Sequence, residues 1–167
     1  MKNCSNKFNK LQSLEANITF PYVSEGEFSM HQLLEFLLTQ TGAAKVHIAS
    51  FSITEVAIRS FLNQIEKKYI SDLTCIFDLS VRRHRLGLLY FMNNVVNSIA
   101  LTKNHSKLIL IENLRWKVTV VSSANFNVND KIEAGIISTE KRFYDFYLKQ
   151  FNQWFDKGLL VTENEFN

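Results

Sequence analysis

Short apolar blocks separated by polar punctuation run along the chain, and their period switches between that of a strand and that of a helix. Residues 16–23 (ANITFPYV) predict an edge strand, because Pro21 lacks the N–H that a central strand would need. Ser29 with Gln32 three residues on forms a capping box for a helix through Leu33, Leu34, Leu37 and Leu38, stopped near Gly42. Residues 45–51 (KVHIASF) predict a strand. A second box, Ser52 with Glu55, opens a helix with Ile58, Phe61, Leu62 and Ile65 on one face. Residues 72–78 (DLTCIFD) return as a strand ending at Asp78, which suits a cap on the following turn.

Beyond a basic loop at 81–85, an apolar helix is expected around 86–97 and a short strand at 98–102. Three more strands follow, at 107–112, 116–121 and 133–138, the first two close enough across Asn113–Arg115 to form a hairpin. A last helix spans 140–156 and stops at Gly158. Its Phe143, Phe146, Tyr147, Phe151 and Trp154 make a broad aromatic face. Core packing is the first reading of that face, and a partner interface or base-stacking surface the second. Strand–helix–strand–helix followed by adjacent strands predicts an α/β fold with a mixed sheet flanked by helices.

At 167 residues, 46% hydrophobic and with one proline, the chain reads as one domain over 1–167 with no linker or low-complexity tract. Its basic start lacks the apolar region of a secretory signal, and no run has membrane-spanning length. Cys4 and Cys75 match neither a disulfide framework nor a zinc site, so a reducing, cytoplasmic setting is expected. The net charge of +3 is unevenly spread. Arg82, Arg83, Arg85, Lys103, Lys107, Arg115 and Lys117 face one acid, Glu112, giving +6 locally and −3 elsewhere. Such asymmetry points to a polyanion met by one region, with a solvated basic loop as the bland alternative.

The candidate chemistry begins at His105-Ser106-Lys107. Strand period two places His105 and Lys107 on one face where an apolar strand begins, and Ser123 and Asn125 share a face where another ends. Glu133 opens a third. Imidazole is a nucleophile at neutral pH. Lysine, asparagine and serine supply charge and donors to phosphate oxygens, and a carboxylate can orient a histidine. His31 and His47 are expected to be structural, whereas His84 is balanced between phosphate contact and solvation. No Asp/Glu cluster suggests a metal, so no metal and no cofactor are expected.

His105, Lys107, Glu112, Ser123, Asn125 and Glu133, within HSKLILIENLRWKVTVVSSANFNVNDKIEAG, resemble the HKD motif of the phospholipase D-like superfamily. The resemblance covers roughly residues 28–155. Glu112 stands where the motif normally has Asp, and Ser122 where a Gly often precedes the serine. The resemblance implies that His105, Lys107, Ser123, Asn125 and Glu133 are catalytic, Glu112 structural, and Arg82, Arg83 and Arg85 ligands of flanking phosphates. It also implies a metal-independent nuclease with a phosphohistidine intermediate. A single motif requires a homodimer, in which one His105 attacks and the other protonates. The partner is nucleic acid, DNA favoured over RNA. The alternatives are a lipid phosphodiesterase of the superfamily and a catalytically inactive nucleic-acid-binding or assembly module.

Overall fold

The computed structural model describes residues 8–9, 11–128 and 130–162, so Cys4 lies outside the described residues. The element order is β1 (Thr19–Glu25), α1 (Met30–Thr41), β2 (Ala44–Ser50), α2 (Glu55–Glu66), β3 (Ile70–Asp78), α3 (Ser80–His84) and α4 (Leu86–Asn93). The second half comprises β4 (Ser98–Thr102), β5 (Leu108–Glu112), β6 (Lys117–Ser122), β7 (Ile132–Ser138), α5 (Lys141–Asp156) and β8 (Leu159–Leu160). The strands form one mixed sheet in the order β1-β7-β6-β5-β2-β3-β4-β8. β2, β3 and β4 run parallel, joined by helical crossovers. β5 runs antiparallel to β2 and starts the meander β5-β6-β7.

Strand alternation divides the core in two. Val46, Ile48, Phe77, Ile109, Ile111 and Val120 point to the face covered by α1, α2 and α4. Ala49, Ile76, Ala100, Leu108 and Leu110 point to the face covered by α5. The first face is the larger: Leu33, Leu34, Leu37 and Leu38 of α1 are almost wholly buried, each worth about 2–5 kcal/mol against truncation to alanine.

Several local expectations hold. The Ser29 N–H donates to Gln32 Oε1 at 3.1 Å in the capping box, and α1 ends at Gly42, whose φ of 74° suits glycine. β1 is an edge strand that tolerates Pro21 because it pairs only with β7. His31 is buried beside the Ser29 hydroxyl, 2.9 Å from Nδ1, and His47 packs on Phe151 with ring centroids 5.1 Å apart. Burial pushes the pKa of His47 down against the pull of Glu112 and Asp72, and it pushes the Cys75 thiol up.

Other expectations need correction. Thr54, not Ser52, caps α2: its Oγ1 accepts from the Ala57 N–H at 3.5 Å, while a bridge between Ile53 and Phe126 keeps the preceding chain extended. The 81–85 segment is not a loop but the short helix α3, with Arg82 and Arg83 in its turn. The helix placed at 86–97 stops at Asn93. On α5, Phe146 is exposed, and Tyr144 with Phe151 forms the buried ridge instead. β8, two residues long, was too short to leave a pattern.

Candidate active site

The parallel strands β2, β3 and β4 end at one edge of the sheet, where β5 begins, β6 ends and β7 begins. Sites in α/β folds gather at such edges. Here Lys107, only 8% exposed, donates from Nζ to the His105 carbonyl at 2.7 Å and lies 3.0 Å from His105 Nδ1. An ammonium has donors only, so the ring nitrogen serves as acceptor. Burial pushes Lys107 below the usual lysine pKa, and the Glu133 carboxylate pulls it part of the way back. His105 itself is exposed, its ring 5.1 Å from that of Phe51 at the end of β2.

Across the β5–β6 hairpin, the Ser123 hydroxyl donates to the Glu133 carboxylate in a short bond and accepts the Ala134 N–H at 3.0 Å. Backbone pairing between Ser123 N–H and Ala134 O, 2.9 Å, locks this turn to β7. Asn125 Oδ1 accepts from Ser50 at 3.3 Å. The structure thus brings Lys107 to His105 and Ser123 to Glu133, while the end of β2 meets His105 through Phe51 and Asn125 through Ser50.

Ser122 resolves in an informative way. Its hydroxyl accepts from Tyr22 at 2.8 Å and from the Ala124 N–H at 3.0 Å, which makes it part of the scaffold behind the turn. Burial, with a smaller contribution from Glu133, pushes the Tyr22 hydroxyl up to about 12 against the Ser122 hydrogen bond, so Tyr22 stays a donor. Gly135, opposite Ser122, makes this reach achievable: a Cβ there would sit 2.4 Å from the Val121 carbonyl and 2.7 Å from the Tyr22 ring.

Glu112 lies at the other end of β5 and pairs directly with Lys117, its cross-strand neighbour. Partial burial opposes its ionisation, but the Lys117 ammonium outweighs it and holds the carboxyl below its usual range. Arg82, Arg83 and Arg85 belong to α3 and its C-cap, which follow β3 at the same sheet edge as His105. Asp78, read from sequence only as a turn cap, does more. Its Oδ1 accepts the Ser80 N–H at 2.9 Å and its Oδ2 the Asn104 N–H at 3.1 Å, joining the basic helix to the residue before His105. Partial burial works against its charge, yet the Ser80 and Asn104 bonds prevail and lower its pKa.

Beside His105 a cleft of 370 Å³ runs under α5. Its rim includes Lys107 and Ser123, and Tyr147 and Trp154 of α5 wall it. Among the described residues no cluster of three His, Cys, Asp or Glu side chains is arranged to hold a metal ion, and no helix is long and apolar enough to cross a membrane.

Nuc from Salmonella typhimurium, a phospholipase D family member, superposes with a TM-score of 0.68 at 15% identity, over 87% of this chain and 100% of that one. This chain has the phospholipase D-like fold. NucT from Helicobacter pylori matches with a TM-score of 0.68 at 15% identity, over 85% of this chain and 98% of that one. Phosphatidylserine synthase from Haemophilus influenzae matches at 0.62 and 12% identity, over 86% of this chain but 40% of its own. No protein-family model matches the sequence, and no curated protein matches it either. The phospholipase D-like fold thus covers both halves of the chain, while Ser50, Phe51 and Asp78 are site neighbours that the motif residues alone did not disclose.

Proposed function

We propose that this protein is a metal-independent phosphodiesterase that cleaves nucleic acid, DNA in preference to RNA, as a homodimer. The observation that carries the reading is the juxtaposition of His105 and Lys107 at the strand-end edge of a fold shared, over nearly the whole length of both chains, with Nuc and NucT. In the proposed reaction the His105 imidazole attacks phosphorus and forms an N–P bond. The P–O bond to the leaving group breaks, and the leaving oxygen takes a proton from the partner's His105. That histidine then deprotonates a water, which cleaves the phosphohistidine and returns His105 to its starting form.

Lys107, already desolvated, exchanges its histidine contact for the charged phosphate oxygens, which are stronger acceptors than an imidazole nitrogen. Asn125, with Oδ1 engaged by Ser50, presents its amide donors to the same oxygens. Ser123 and Glu133 act as a unit: the hydroxyl holds the carboxylate, and the carboxylate supports Lys107 electrostatically, its role toward His105 being to orient the ring. Arg82, Arg83 and Arg85 hold flanking phosphates, which makes affinity steeply salt-dependent. A cytoplasmic location fits two cysteines with no pairing pattern.

One observation favours a second reading. TrmBL2, an archaeal chromatin protein described with a novel mode of DNA binding, shares the fold with a TM-score of 0.55, at 10% identity over 86% of this chain and 53% of that one. A binding module without turnover is therefore the competing assignment.

His105→Asn tests both. Turnover of plasmid, single-stranded DNA and RNA in the presence of chelator should drop by several orders of magnitude, with binding largely retained. In mixtures of exchanging wild-type and variant subunits, activity should follow the square of the wild-type fraction. Activity proportional to that fraction would show that each chain works alone, and a wild type that binds but never cleaves would establish the module reading.

A further inference from the structure

The cleft beside His105 has an inner wall that the phosphate chemistry does not use. Its floor is the cross-strand pair Leu108 and Val121, directly opposite each other on β5 and β6. Above them stand Tyr147 and Trp154, seven residues apart on one face of α5, roughly 10 Å along the helix axis. The residues of α5 that seal the core, Tyr144 and Phe151, are each only 1% exposed. Tyr147 and Trp154 are partly buried: they pack against that same core and also line the cleft. The lining is mainly apolar, whereas the rim toward His105 carries the Lys107 ammonium and the Ser123 hydroxyl. A ligand suited to this cleft has a flat apolar body joined to an anion.

We propose that the cleft is a base subsite in which an unpaired nucleobase next to the scissile phosphate lies over Leu108 and Val121, between Tyr147 and Trp154. This deepens the nuclease reading and rests on it. At 370 Å³ the cleft falls within the range of small-ligand pockets, and it is continuous with the phosphate site, so base and phosphate of one nucleotide occupy it together. A base inside a duplex has both faces stacked and its edge paired, so it cannot enter without leaving the helix. The subsite therefore selects single strands, with little sequence preference, because every base offers a π-face.

The test compares a single-stranded oligonucleotide, its duplex, and the same strand with abasic residues around the cleavage position. Wild type should favour the single strand. Tyr147→Ala or Trp154→Ala should lower kcat/KM on the base-bearing strand by about 5- to 150-fold, and the gap between wild type and variant should close on the abasic strand. Tyr147→Phe and Trp154→Phe, which keep a ring, should recover most of the loss. Equal losses on both strands, no loss, equal cleavage of duplex and single strand, or a change in sedimentation mass would each overturn the subsite. If wild type cleaves no nucleic acid, the nuclease reading fails by itself. The subsite is then read from Trp154 fluorescence in a Trp116→Phe background, since the chain has two tryptophans. Quenching by the base-bearing strand but not the abasic one supports it, and no quenching overturns it.

Discussion

A lysine and a glutamate stand at each end of the β5–β6 hairpin, the near-end Glu133 coming from the neighbouring β7, and the two ends treat them in opposite ways. At the far end Glu112 and Lys117 face each other across the ladder and neutralise one another directly. At the near end Lys107 is more deeply buried, yet it donates to His105, while the Ser123 hydroxyl binds the Glu133 carboxylate. Side-chain types are the same; the difference is who satisfies whom. Where the charges cancel in place, the pair ties two strands together. Where a desolvated ammonium spends its donors on a histidine, an anion gains more from arriving. The glutamate in the position where the HKD motif has aspartate belongs to the first kind.

Substituting the two lysines should separate those roles most strongly. Lys107→Ala should lower phosphodiester turnover by roughly 10²- to 10³-fold, the usual cost of removing one donor aimed at developing negative charge. Lys117→Ala should leave turnover close to wild type, as steady-state kinetics on one substrate would show. Comparable losses in both would mean that the far pair also serves the chemistry.

Gly135→Ala sharpens the contrast from the scaffold side. An added methyl would meet the Val121 carbonyl and the Tyr22 ring, so the turn holding Ser123 and Asn125 must shift. Chemical denaturation should show a loss of about 1–3 kcal/mol, typical of overpacking, together with reduced turnover. A stability loss with turnover intact would show that the turn tolerates displacement.

The smallest effect concerns acid stability. Because the folded-state pKa of Glu112 lies below its unfolded value, its contribution is complete above the unfolded pKa and disappears as pH falls through the folded one. Lys117→Met should therefore cost about 1 kcal/mol at neutral pH, and the difference from wild type should vanish in acid. Thermal unfolding followed from pH 7 downward measures it. A difference that persists at low pH would indicate lost packing rather than lost charge.

Period and punctuation made most of this fold legible. β4 was readable from its pattern at the observed limits, and β1 was recognisable as an edge from Pro21 alone. The cap of α2 was misread because Ser52 and Glu55 have the right spacing, whereas the deciding contact, Ile53 against Phe126, joins segments far apart in sequence. His105 and Lys107 drew attention because strand period two would put them on one face, although both precede β5 and meet through the reach of the lysine ammonium to the ring. Ser50 and Asp78 did not, since a polar residue closing an apolar strand looks the same whether it meets solvent or a distant loop. The α5 aromatics showed their spacing, but only the fold revealed that Tyr147 and Trp154 face a cleft while Phe146 points outward.

The two borders of the sheet constrain how copies of this chain can meet. β1 carries Pro21, which removes a donor from a strand already paired on one side, and β8 offers two residues. Among the described residues β8 presents a ladder of two residues, and on the seven-residue β1 Pro21 interrupts the row of donors that a new strand would need. Edge-to-edge addition, the simplest route to open-ended fibres, is thereby disfavoured. Among the described residues, the surfaces left for any pairing of copies are chiefly loops and helix faces.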